Sequence, residues 1–215
     1  MAADSLAPWE PFVSPSGSLA ERAATFLEAT GCAFEAEHSA GVVAEARCIA
    51  LRHGVDSEQA EVGAWLHDIS APIPAAERIA LAEALGIDVL PAERAFPMIV
   101  HQRISAVMAR DLFGVTNRAV LSAIGCHTTL KPGASPLDMV VFVADKVAWD
   151  QPGEPPYLSE LLTALDESLE AASWVYLAYL WRRRADLPVL HPWAADAYRE
   201  LGEGMAGAQC SPSAQ

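Results

Sequence analysis

The sequence predicts an all-α protein of one domain, and three observations carry that expectation. Apolar residues recur at three- and four-residue spacing through most of the chain, which is helical periodicity. No stretch alternates strictly enough to read as a strand, and no internal repeat breaks the chain into modules. The 215 residues are 52% hydrophobic, sufficient for a single substantial core.

The elements follow in order. Residues 1–17 are rich in Pro and Ser and read as a flexible lead-in. Ser18 reads as the N-cap of a first helix that ends near Gly31. A second helix covers about 35–53 and stops at Gly54, with His53 in its last turn, where a cation suits the helix dipole. Asp56 or Ser57 opens a third, which ends on His67-Asp68 before Pro72 and Pro74. A helix over about 75–85 ends at Gly86. Pro97 suits the first turn of a helix that bears His101 and stops at Gly114. Thr116 opens the next, which ends at His127. The loop from Thr128 to Ser135 leads into the helix that bears Asp145. After the Pro-rich turn 151–156, a long helix is expected over 158–181. Its closing Arg182-Arg183-Arg184 run reads as a solvated face that complements the dipole. His191 precedes Pro192 in a loop and reads as structural. A short helix over 193–201 ends the domain 18–201, and 202–215 reads as a disordered tail.

Charge and cysteine usage narrow the function. The formal net charge is −14, with 28 acidic against 14 basic residues, which argues against a nucleic-acid polymer as partner. A small phosphorylated substrate stays compatible if cations are concentrated locally. The four cysteines, Cys32, Cys48, Cys126 and Cys210, form no C-x-x-C pair and read as reduced thiols of a cytoplasmic protein. Cys126 adjoins His127, but helical neighbours point about 100° apart, so it reads as packing. No secretory signal is read, since no apolar segment follows an early basic residue. The longest apolar run, 171–181, is too short to span a membrane.

The chemistry concentrates in His38, His67-Asp68, His101, His127 and Asp145. Each falls on an apolar stripe: His38 with Val42, Ala46 and Ile49, His67 with Ala60, Gly63 and Ala64, His127 with Val120, Ala123 and Ile124. Taken singly, a histidine on such a face is a core residue bonded to backbone, Asp68 is a helix-end cap, and Asp145 is the partner of a buried arginine. Taken jointly, four imidazoles and two carboxylates are aimed at one core. A buried carboxylate is costly unless it is paired or coordinates a metal, and imidazole with carboxylate is a ligand set for a borderline-hard metal ion. The pattern reads as a metal site.

The order H…HD…H…H…D resembles the HD-domain superfamily of metal-dependent phosphohydrolases. His38-Ser39, His53-Gly54-Val55-Asp56, Ala64-Trp65-Leu66-His67-Asp68-Ile69, Ala123-Ile124 before His127-Thr128-Thr129, and Ser135-Pro136-Leu137-Asp138 leading to Ala144-Asp145-Lys146 are similar to the YqeK family. That family's members are symmetrical dinucleoside tetraphosphate hydrolases with a two-metal, usually iron, centre. The resemblance covers roughly 35–201 and implies a single HD-domain helical bundle. It implies one metal on His38, His67, Asp68 and Asp145, and another on Asp68, His101 and His127. A metal-bridging hydroxide would then cleave diadenosine tetraphosphate into two ADP. Iron is the implied metal, with manganese, cobalt, nickel or zinc open, and a homodimer is open. The chain departs from the family at Glu35, where an Arg is usual, and over 147–157, where a Pro-Gly-Arg segment gives way to one containing Trp149 and Tyr157.

Substrate contacts are expected from the few available cations. The two lysines of the chain, Lys131 and Lys146, are expected to meet phosphate as catalytic or binding groups, and Arg103 is a further candidate. Thr128 and Thr129 have hydroxyls that suit phosphate or a helix end. Trp149 and Tyr157 could stack a base, with Trp149 expected in the core. Competing readings are another nucleotide phosphohydrolase, a di-iron HD oxygenase and a non-catalytic metal- or nucleotide-binding module.

Overall fold

A computed structural model describes residues 5–149 and 153–209. Among the described residues the protein is all-helical: a 3-10 turn at Glu10–Phe12 precedes eleven α-helices. They are α1 (Leu19–Ala29), α2 (Ala33–Arg52), α3 (Ser57–Leu66), α4 (Arg78–Ala84), α5 (Pro91–Ala95), α6 (His101–Asp111), α7 (Arg118–Cys126), α8 (Pro136–Val147), α9 (Leu158–Glu167), α10 (Leu169–Arg182) and α11 (Pro192–Gln209).

Helix α8 is the axis of the bundle. Every residue from Leu137 to Ala144 is buried, as expected of a helix apolar on all sides. It packs against α2, α3, α7 and α10. Its start is fixed locally: the Ser135 side chain accepts from the Asp138 amide at 3.2 Å, the Asp138 carboxylate accepts from the Ser135 amide at 2.8 Å, and Pro136 fills the first turn. Helix α3 crosses α8 at Gly63, where a Cβ would lie 3.0 Å from the Val141 Cγ2. Glycine there sets how closely the two helices approach.

Several boundaries differ from the sequence expectation, each for a packing reason. The lead-in is anchored: Leu6 is buried in the core, with Trp9 and Val13 packed against it. The helix expected over 158–181 is two helices, because Ser168 is extended (φ −165, ψ 164) and its side chain caps α10 by accepting from the Ala171 amide. Short helix α5 was not expected. The last helix runs to Gln209 instead of ending at 201, and the remainder of the expected tail, 210–215, lies outside the described residues. Gly202 lets α11 lie close on α10, since a Cβ there would sit 3.0 Å from the Trp174 Nε1. The Tyr198 ring stacks between Trp174 and Trp181, at 5.8 and 5.0 Å. Arg183 and Arg184 are exposed, in line with a solvated end of α10. No helix among the described residues is long and apolar enough to cross a membrane.

Candidate metal centre

His67 and His127 are the C-caps of α3 and α7. A helix leaves its last carbonyls without intrahelical partners, and each of these histidines takes one. His67 Nδ1 donates to Ala64 O at 2.7 Å and His127 Nδ1 donates to Ile124 O at 2.8 Å. His101, at the start of α6, donates from Nδ1 to Met98 O. A carbonyl can only accept, so all three rings carry a proton on Nδ1. In the neutral ring the Nε2 is therefore a bare lone pair. The same carbonyl-anchored imidazole is the usual outer support of a metal-bound histidine.

Those lone pairs converge. His101 Nε2 lies 3.0 Å from His127 Nε2. Asp68 Oδ1 lies 3.0 Å from His101 Nε2 and 3.4 Å from His127 Nε2, while its Oδ2 lies 3.4 Å from His67 Nε2. On the other side, Asp145 Oδ1 lies 3.1 Å from His38 Nε2 and 3.6 Å from His67 Nε2. All six residues are thus gathered, with the two oxygens of Asp68 turned toward different histidines. Two overlapping triads, His38–His67–Asp145 and His67–Asp68–His127, each have ligand atoms within 4.8 Å of one another.

The protein alone does not satisfy this arrangement. His67 Nε2 is buried with no hydrogen-bond partner, and two acceptor nitrogens face each other at 3.0 Å across His101 and His127. Burial outweighs the pull of Asp68 and lowers His127 to about 4, so it is neutral at pH 7. Burial opposes charge on Asp68 and Asp145. The surrounding histidines nevertheless hold Asp68 well below its usual range, and Lys146 with His38 does the same for Asp145. Two ligand atoms about 2.1 Å from one ion and at right angles to it lie about 3.0 Å apart, which matches the spacing found. The C-terminal ends of α3 and α7, both negative in sense, bring their capping rings, His67 and His127, to 4.8 Å between centres. The residues fit divalent cations.

The pocket over this cluster has a volume of about 220 Å³. Lys146, Thr128, Trp149, Tyr157 and Tyr176 line it with five of the six metal-type residues. Lys146 Nζ bonds Asp145 Oδ2, lies 3.4 Å from His127 O, and stands 5.4 Å from the Phe142 and Tyr176 ring centres. Burial would favour neutral Lys146, but Asp145 prevails and raises its pKa. Thr128 Oγ1 lies 3.0 Å from His127 Nε2 and 3.2 Å from His101 Nε2.

Other expected contacts lie elsewhere. Trp149 is not core: it is 36% exposed at the pocket mouth, because α8 ends at Val147 and Ala148 turns the chain (φ −74, ψ 60). Thr129 is buried, bonded to Gln102 and Leu130 O, and supports the loop. Arg103 does not reach the pocket, since its Nη1 bonds Asp88 O at 2.6 Å and Glu93 Oε2 at 3.0 Å. Lys131 is held by Ser122 and lies 3.4 Å from Asp138. Cys126 is buried, and burial raises its thiol pKa, in keeping with packing. Sequence reasoning missed three residues. Tyr176 is on the pocket wall. Gln102 is fully buried and fixes the 128–129 turn. Arg78 bonds Ile73 O at 3.0 Å and lies 3.5 Å from Met98 O, the carbonyl that anchors His101. A polar side chain on an otherwise apolar stripe was the available signal for Gln102.

A helical bundle that closes a His-Asp cluster between its helix ends is the architecture of an HD-domain hydrolase. The HD domain family profile matches residues 36–150, and the chain belongs to that family. The uncharacterized protein in the pepC 5′ region of Lactococcus lactis subsp. cremoris is 41% identical over 147 residues, covering 68% of this chain and 74% of that one. The symmetrical bis(5′-nucleosyl)-tetraphosphatase of Bacillus subtilis is 31% identical over 112 residues, covering 51% of this chain and 59% of that one. A crystal structure from Clostridium acetobutylicum, described as a predicted HD superfamily hydrolase involved in NAD metabolism, superposes with a TM-score of 0.72. It shows 25% identity and covers 78% of this chain and 88% of that one.

Proposed function

We propose that the protein hydrolyses diadenosine tetraphosphate symmetrically, giving two ADP, with two divalent cations held by His38, His67, Asp68, His101, His127 and Asp145. The observation that carries this reading is the set of Nδ1-anchored imidazoles whose bare Nε2 atoms face the two oxygens of Asp68. The Bacillus relative that bears the symmetrical tetraphosphatase name supports the substrate. Imidazole and carboxylate suit iron, manganese, cobalt, nickel and zinc alike; iron is the working assignment. Such cations supply Lewis acidity toward phosphate oxygens and lower the pKa of a water enough to make it the nucleophile.

The chain's own residues do the rest. Asp68 faces both halves of the cluster and holds them in register. Lys146, cationic against Asp145, presents positive charge to a phosphate oxygen in the pocket. The Thr128 hydroxyl can donate to a phosphate oxygen from the same wall. Trp149 offers an exposed indole at the mouth for a base to stack on. The reaction consumes one water and breaks one phosphoanhydride bond at the middle of the tetraphosphate, so each product leaves with two phosphates.

A second reading, hydrolysis of a different phosphorylated nucleotide, is favoured by one feature: Lys146 is the only cationic side chain that lines the pocket among the described residues. Product analysis separates the two. Iron-loaded protein, purified without oxygen, is given dinucleoside polyphosphates and nucleoside di- and triphosphates. ADP as sole product from diadenosine tetraphosphate supports the proposal, and phosphate release from a mononucleotide moves the substrate. Oxygen uptake without phosphoester turnover would replace hydrolysis by an oxygenase reaction, and tight nucleotide binding without turnover would indicate a sensor.

A further inference from the structure

Two of the three cations expected to meet phosphate at the metal centre, Arg103 and Lys131, stand instead at a second cavity, while Lys146 lines the metal pocket. Arg103, Arg110 and Lys131 line a space of about 350 Å³, against about 220 Å³ over the metal-type cluster. No Asp or Glu is among its lining residues, in a chain with 28 acidic and 14 basic residues. Leu85, Ile87 and Val107 supply an apolar wall. The volume falls in the range of small-molecule sites, about 300–1,000 Å³.

The carboxylates that pair with the cationic heads do not themselves line the cavity, and Ser122, which does, holds Lys131. Glu93 and the Asp88 carbonyl hold Arg103 through Nη1, and its guanidinium stands 5.6 Å from the Trp193 ring centre. Its Nε and Nη2 have no partner among the described residues. Asp111 holds Arg110 in a two-pronged pair at 2.6 and 2.7 Å through Nε and Nη2, which leaves Nη1 open. Asp138 lies 3.4 Å behind Lys131. Two oriented guanidiniums and an ammonium beside an apolar wall are the chemistry that recognises a phosphate attached to an organic body.

This cavity is separate from the metal centre. On α6 its lining residues 103, 106, 107 and 110 form one stripe, and Arg103 is turned about 200° about the helix axis from His101. On α7 the lining residues are Ser122, Gly125 and Cys126, while His127 faces the other pocket. The two cavities share no lining residue.

We propose that this second cavity binds a small phosphorylated molecule of the nucleoside phosphate class, independently of the metal centre. Isothermal titration of the metal-loaded protein with ADP, pyrophosphate and citrate tests it. Two ADP-binding processes are expected in the wild type, one of them lost in His127→Ala. The other is expected to weaken about tenfold in Arg110→Gln, which removes a charge-assisted contact, and to vanish in Ala106→Trp, which fills the cavity. Metal content stays unchanged in both variants. Arg110 is exposed, so Arg110→Gln decides the matter even if Ala106→Trp fails to fold. ADP is expected to bind this site more tightly than pyrophosphate or citrate. A single process that both cavity variants leave unaltered overturns the proposal, as does citrate binding as tightly as ADP. Failure of the metal-centre reading would look different: only the process sensitive to Arg110→Gln would remain.

Discussion

Gln102 offers the sharpest test of how the metal-centre loop is held. Its side chain is fully buried beneath the turn after α7. Oε1 accepts from the Thr128 amide at 3.0 Å and the Thr129 amide at 3.3 Å, and Nε2 donates to Thr129 Oγ1 at 3.0 Å. Gln102→Met keeps the volume and removes all three bonds. At about 1 kcal/mol each, with an added penalty for the stranded Thr129 amide, the loss comes to about 3–5 kcal/mol. For a chain of this size each kcal/mol lowers Tm by about 2–4 °C, so the melt should fall by about 6–20 °C. Thr128 moves with the turn, and its hydroxyl is the one beside His101 and His127. Activity at 25 °C, where the variant is still folded, should therefore drop about tenfold, the equivalent of about 1.4 kcal/mol at the transition state. Calorimetry and product assays on the metal-loaded variant check both. A melt within about 2 °C of wild type would refute the reasoning, because it would mean the turn holds itself.

Three further outcomes follow from the same geometry. Asp68→Ala should lose hydrolysis and at least one metal equivalent, read by elemental analysis of reconstituted protein; full turnover would sink the two-cation scheme. Trp149→Ala should raise KM about tenfold and spare kcat, since base stacking on an aromatic ring contributes about 1–3 kcal/mol; an unchanged KM would remove Trp149 from the substrate site. Glu93 gives a pH effect. Burial opposes its charge, but His191, the Leu90 amide and Arg103 together hold its pKa below the ordinary 4.5. A depressed carboxylate contributes stability above its unfolded pKa and loses it as pH falls through the folded value. The stability gap between wild type and Glu93→Gln should therefore be full at pH 6 and shrink below pH 4.5. Melts across that window measure it, and a constant gap would argue that the contribution is not from charge.

The metal-type residues were legible because helical spacing alone decides which way they point. His67 and His127 sit where α3 and α7 stop, and their neighbours three and four residues back are core, so the inward direction was fixed locally. Two caps were legible for the same reason: Ser18 and Asp56 each bond the amide three residues on. The break at Ser168 carried only a faint signal, a serine ahead of an apolar run, inside a stretch whose periodicity continues on both sides. The helical end of α11 ran against three glycines, at 202, 204 and 207, and was won by packing on Trp174.

Substrate-side residues were the least legible, and the reason is physical. A metal ligand must point into the core, so its stripe betrays it. A phosphate-binding cation stands on a long flexible stem at the surface, and its direction depends on whichever carboxylate claims it. Arg103 follows Glu93, buried on the unexpected helix α5. Lys131 follows Ser122 and Asp138. Lys146 alone is turned inward, because its neighbour Asp145 belongs to the cluster. Trp149 escaped in the opposite sense: helical spacing put it in the core, but the helix ends two residues earlier, and beyond Val147 that spacing no longer applies. The distribution of charge is therefore set by tertiary partners that lie far away in sequence. That is how the expected phosphate cations came to be divided between a metal pocket with Lys146 and a second cavity where Arg103 and Lys131 stand with Arg110.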